Sequence, residues 1–168
     1  GINVPIYYFE KAKNKKHYAD LAHNLSRNHI LLAKYANESN KKYSLIFEDD
    51  ARFYLDRNSK QIFLKTIYDL RFINFDILHL GSEPLLPIFK KKNNIYTSLY
   101  GLDTHAMILS KNARDKLITI ENKIPKNSSY DYLKSPYGTL NQIDVRFIPF
   151  MKCYTLYPPI CYQYKCPA

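Results

Sequence analysis

The residues best suited to chemistry are three consecutive carboxylates, Glu48-Asp49-Asp50, which follow the apolar run Leu45-Ile46-Phe47 and precede Arg52. A short aliphatic and aromatic run of this kind predicts a buried strand. Three acids at its carboxyl end repel one another unless a cation sits between them. A divalent metal that holds phosphate oxygens is the commonest reason to build such an arrangement. The competing reading is a solvated acidic turn after an edge strand; burial of the strand favours the metal.

The elements that would carry these acids alternate between strand and helix. Val4 to Phe9 reads as a short strand, and Tyr18 to Asn37 as a helix with Leu21, Leu25, Ile30, Leu31 and Tyr35 on one stripe. His23 and His29 on that helix are too far round from each other to share a metal and read as packing or capping groups. After the acids, Asp56 to Phe72 predicts a second helix with Ile62, Phe63, Ile67 and Leu70 inward. Phe75 to Ser82 predicts a second buried strand entering a turn at Gly81. Glu83 to Asn94 is proline-broken and lysine-rich and reads as a mobile surface loop. Tyr96 to Leu99 and Asp103 to Ser110 read as strands, with Ser110 capping a helix from Lys111 to Ile120. Pro125 to Asn141 is loop-rich, Ile143 to Phe147 resumes order, and Cys153 to Gln163 reads as a strand running into a proline corner. The alternation is an α/β pattern. Ligands in open α/β sheets lie outside the carboxyl ends of strands, so the acids and the Gly81 turn should flank one crevice.

Composition sets the bounds. A chain of 168 residues suits one domain, residues 1–168, and 46% hydrophobic with 15% aromatic content is globular. No apolar run approaches the roughly 18 residues of a membrane span. The start, Gly1-Ile2-Asn3-Val4-Pro5, has no charged and apolar leader and no initiator Met, so the chain reads as a fragment or processed form. That start favours a cytoplasmic setting, bacterial or viral, over the ER lumen. The net charge of +10 attracts polyanions and permits peripheral membrane contact. The cations lie in short clusters without a nucleic-acid motif, and an AT-rich coding sequence accounts for them, so no nucleic-acid partner is expected. Cys153, Cys161 and Cys166 are odd in number and lack CxxC spacing, which argues against a zinc site. Reduced thiols are favoured over a Cys161–Cys166 bridge.

Four ordered stretches resemble glycosyltransferase family 25, which includes bacterial lipooligosaccharide transferases and collagen hydroxylysine galactosyltransferases. Leu45 to Phe53 is similar to the family's acidic metal motif, and Asp76-Ile77-Leu78-His79-Leu80-Gly81 to the strand and glycine that follow it. Thr104 to Ser110 with Ala113 and Leu117 resembles its strand and capped helix, and Tyr154 to Pro159 with Gln163 its C-terminal signature. The resemblance implies a GT-A-like, Rossmann-related mixed sheet flanked by helices. It also implies a hexosyltransferase that moves galactose or glucose from a UDP-sugar to a glycan or hydroxylysine hydroxyl, with Mn²⁺ or Mg²⁺. On that basis Glu48 and Asp50 are the expected metal ligands, and Asp49, Gly81 and His105 the expected donor contacts. His105 could equally pack beneath the site. The family's further acid, acting as acid/base or ligand, has two candidates: Asp144 matches the local pattern and Asp131 the spacing from the preceding helix. The strand and basic helix that open family members have no counterpart here. That departure keeps a second reading alive, a non-catalytic GT-A domain that binds glycan or protein; a basic nucleic-acid-binding domain is a third.

Overall fold

The computed structural model describes residues 18–81, 83–84, 89–98, 101–102, 105–123 and 150–164, with side chains at 28–81, 89–98, 105–119 and 150–164. The predicted strand at Val4 to Phe9, the loop-rich stretch with Asp131, and the segment with Asp144 lie outside the described residues.

Helix α1 spans Tyr18–Glu38, β1 Tyr43–Phe47, β2 Ala51–Phe53 and α2 Arg57–Asp69, with a 3-10 turn Leu70–Phe72. Then come β3 Ile77–His79, β4 Glu83–Pro84, β5 Lys90–Lys92, β6 Ile95–Thr97, β7 Gly101–Leu102 and β8 Ala106–Ser110. Helix α3 is Lys111–Lys123, and β9 Cys153–Leu156 and β10 Cys161–Gln163 complete the order. The main sheet has six strands in the order β1-β8-β3-β9-β6-β5. It is mixed: β3 and β9 run parallel, and every other pair is antiparallel. Strand β9, nearly the last in sequence, lies in the middle between β3 and β6. Two small sheets, β2 with β10 and β4 with β7, complete the pairing.

Strand alternation splits the core between the two faces of this sheet. Ile46, Ile77, Met107 and Leu109 pack against Ile30 and Ala33 of α1 and Ala113 and Leu117 of α3. Leu78, Ile108, Ile95 and Leu156 pack with Ile62 of α2 and with Leu70, Ile73 and Phe75. The result is an α/β architecture with helices on both faces. Local signals act where they were expected. The Asp56 carboxylate caps α2 by accepting from the Ser59 N–H at 2.9 Å, and the Ser110 hydroxyl accepts from the Ala113 N–H at 3.1 Å at the start of α3.

Two expectations are corrected. Strand β1 is not a buried strand: among the described residues it is an edge of the main sheet, and Leu45 and Phe47 are half-exposed. Ile46 has α1 and α3 against it, whereas α2 covers the opposite face only in part. The lysine-rich stretch is not a plain loop either. Lys90–Lys92 and Ile95–Thr97 form a hairpin that turns at Asn93, whose φ of 47° is a left-handed conformation that asparagine tolerates.

Candidate functional site at the carboxyl end of the sheet

Strands β1 and β3 both run antiparallel to β8, so their carboxyl ends share an edge with its amino end. The backbone ties these ends together. The Glu48 N–H donates to the His105 carbonyl at 2.8 Å, and the Leu80 N–H to the Ala106 carbonyl at 3.0 Å. The Ile160 N–H donates to the Leu80 carbonyl at 2.9 Å, which draws the C-terminal segment onto the same edge. Glu48, Asp49, Asp50, Gly81 and His105 are thereby brought to one end of the molecule.

The acids occupy a tight turn closed by the Ala51 N–H on the Glu48 carbonyl at 3.1 Å. Each meets a different environment. Glu48 Oε1 lies 3.7 Å from Nε2 of His29, a buried residue of α1. Asp49 is exposed. Asp50 is braced by β10: Gln163 Nε2 donates to its Oδ2 at 2.8 Å, and the Tyr164 N–H to its carbonyl at 2.8 Å. Its other oxygen, Oδ1, is buried and has no hydrogen-bond partner among the described residues. Arg52 does not neutralise the carboxylates. Its guanidinium folds back on the Asp49 and Ala51 carbonyls, each at 2.9 Å, and lies over the Tyr164 ring.

Behind the turn the site is imidazole-rich. His79 and His105 are buried, and none of their four ring nitrogens has a hydrogen-bond partner. Burial, and then the neighbouring His105, push the His79 imidazolium down to about 4, so its ring is neutral at neutral pH. Gly81 permits the closeness. A Cβ there would stand 2.1 Å from the Cys161 carbonyl oxygen and 2.6 Å from His105 Nε2, a gap no side chain can enter. Cys153 and Cys161 are buried, and burial raises the Cys161 thiol to about 11, with Asp50 adding to the rise.

The metal chemistry expected of the turn can be set against these atoms. Among the described residues no three His, Cys, Asp or Glu side chains converge as a complete ligand set. Magnesium-type ions bound beside phosphates need only one or two carboxylates, with substrate oxygens and water completing the shell. Asp50 Oδ1, a hard oxygen buried without a partner, suits that role, and Glu48 lies two residues before it on the same turn.

His29, His79 and Gln163 were not given roles by sequence reasoning. His29 had the look of a packing residue because its distance from His23 is all that spacing can report. Gln163 stood in a recognisable C-terminal stretch, yet its separation of 113 residues from Asp50 concealed the contact. A comparison with protein-family models finds no match, and neither does a comparison with curated proteins.

Proposed function

We propose that the chain is a metal-dependent glycosyltransferase of GT-A type that takes a nucleotide-sugar donor, with a UDP-sugar the first candidate. The observation that carries the reading is the acid turn at the sheet's carboxyl edge, with Asp50 braced through one oxygen and unpartnered at the other. Crevices outside strand carboxyl ends are where open α/β sheets bind ligands. A bound Mn²⁺ or Mg²⁺ would supply charge neutralisation to the diphosphate as it leaves. The chain's own residues do the rest of the work. Gln163 fixes the orientation of the Asp50 carboxylate, and His29 stands beside Glu48 and limits how far it can swing. Neutral His79 keeps a second positive charge from competing with the cation. A further acid for deprotonating the acceptor hydroxyl is sought among Asp131 and Asp144.

Calorimetric titration of UDP in the presence of Mn²⁺ is the direct test. Micromolar or tighter binding that disappears with EDTA is expected. Asp50→Asn, which preserves volume and the Gln163 contact region, should lower nucleotide affinity at least about tenfold at unchanged thermal stability. A folded protein that binds no nucleotide with Mn²⁺ sinks the reading. Nucleotide binding without donor hydrolysis or transfer, across a panel of nucleotide sugars, would instead support a non-catalytic member of the same fold.

A further inference from the structure

The outward side of α2 has a composition that the acid turn does not explain. Lys60, Leu64, Tyr68 and Phe72 recur at steps of four and form one stripe along α2 and the turn that follows it. Leu64 is 69% exposed, Tyr68 55% and Phe72 63%, and Leu55, just before the helix, is 79% exposed. Arg57, Lys65 and Arg71 adjoin the stripe, and all three are exposed. The β5–β6 hairpin adds Lys90 and Lys91, also exposed, while Lys92 Nζ lies 4.4 Å over the Phe72 ring and Arg71 lies 5.4 Å over that of Tyr68.

The two acids of this region do not balance these cations at the surface. Asp56 is exposed and caps α2 through the Ser59 N–H and hydroxyl, so its charge offsets one of these cations. Asp69 is buried against Asn93, at 2.5 Å, and Lys92, at 3.5 Å. Large aliphatic and aromatic groups therefore project from a face whose net charge is positive, with exposed Arg57, Lys60, Lys65, Arg71, Lys90 and Lys91 against exposed Asp56. A protein that works alone in water rarely keeps so continuous an apolar stripe.

We infer that this face docks on an anionic lipid membrane, with Leu55, Leu64, Tyr68 and Phe72 at the acyl–headgroup boundary and the surrounding Lys and Arg at the phosphates. Rings and aliphatic side chains enter that boundary, and cations beside them gain from a negative surface. A nucleic-acid surface would use the cations but has no need of Leu55 and Leu64. A cavity of about 300 Å³ with almost wholly apolar walls opens at the amino end of the same face. Leu55 and Lys60 belong to both, and its inner wall includes Phe47, Phe53 and Phe63. It offers a hydrocarbon chain a seat reached from the membrane plane. The inference stands on the α2 face and does not depend on the glycosyl-transfer reading.

Co-sedimentation of the full chain with vesicles tests it. Binding to phosphatidylcholine vesicles containing phosphatidylglycerol is expected, with little binding to phosphatidylcholine alone and a decline as salt rises. Each cation contributes about fivefold, so Lys60→Glu with Lys65→Glu should weaken binding by at least about twentyfold. Leu64→Ser with Phe72→Ser keeps every charge and should still weaken it about tenfold. Circular dichroism and melting should be unchanged in both variants, because the four side chains are exposed. Undiminished vesicle binding by the serine variant overturns the inference. So does preferential capture by double-stranded DNA in competition with the vesicles. Self-association that the serine substitutions abolish, with no vesicle binding, would assign the face to a second copy of the chain and likewise overturn it.

Discussion

His79 has to remain neutral for the sheet to close over it, and this couples stability to pH. Its ordinary value of 6.5 falls to about 4 in the folded chain, chiefly through burial and then through His105. As pH drops through 6.5 the unfolded chain takes up a proton that the folded one refuses. The contribution is therefore fully present above 6.5 and is lost progressively down to about 4, amounting to about 3 kcal/mol over the window. His105, with His29 and Glu48 from α1 and the acid turn, surrounds the same end of the sheet. Urea melts across this window should show the loss, and His79→Gln should flatten it; an unchanged slope in that variant would assign the pH dependence to another group. At this scale the clustering of the acids was legible, because the three carboxylates adjoin in the sequence itself. His79 was not, since a histidine between aliphatic residues reads as core until its nitrogens are seen to lack partners.

At the scale of elements, a buried carboxylate fastens the opposite end of the sheet. Asp76 lies just before β3 and is fully buried. It accepts from Lys116 Nζ at 2.5 Å and Asn112 at 2.6 Å, both on α3, and from the Lys152 N–H at 2.8 Å. Burial alone would raise its pKa, but these donors outweigh it and hold the carboxyl below the usual range. Asp76→Ala should destabilise the fold by about 3 kcal/mol, measured by denaturant melts, because Lys116 and the Lys152 N–H lose their partner. A loss no larger than that of a surface substitution would show that α3 is held by its apolar contacts alone. A second polar tie joins α3 to the start of β1: the buried Arg114 donates to Asn37 Oδ1 at 2.7 Å, to the Lys41 carbonyl at 2.5 Å and to the Ser44 hydroxyl at 3.3 Å. Helix and strand identities were readable from period and caps. The strand at Lys90–Lys92 was not, because lysine carries little strand signal and its pairing is set by the turn at Asn93. The edge position of β1 was hidden for a related reason: Leu45-Ile46-Phe47 looks the same whether one face or both are covered.

Across the whole molecule, order in the sequence and order in the sheet disagree, and that has a consequence for how the protein is made. Strand β9 separates β3 from β6, so the β5–β6 hairpin cannot join β1, β8 and β3 until β9 is present. The Asp50 turn likewise waits for Gln163, 113 residues later, which at ribosomal speeds of 5–20 residues per second is a delay of about 6–23 s. A chain ending before Cys153 should therefore lack native amide-exchange protection in β6, while β1–β8 pairing, which precedes β9 in synthesis, could persist; full protection of β6 in that chain would contradict the dependence. During synthesis the half-exposed Leu45 and Phe47 and the open flank of β3 would be accessible together. Completion of the sheet thus waits for β9, and the acid turn reaches its braced geometry only after Gln163 has been made.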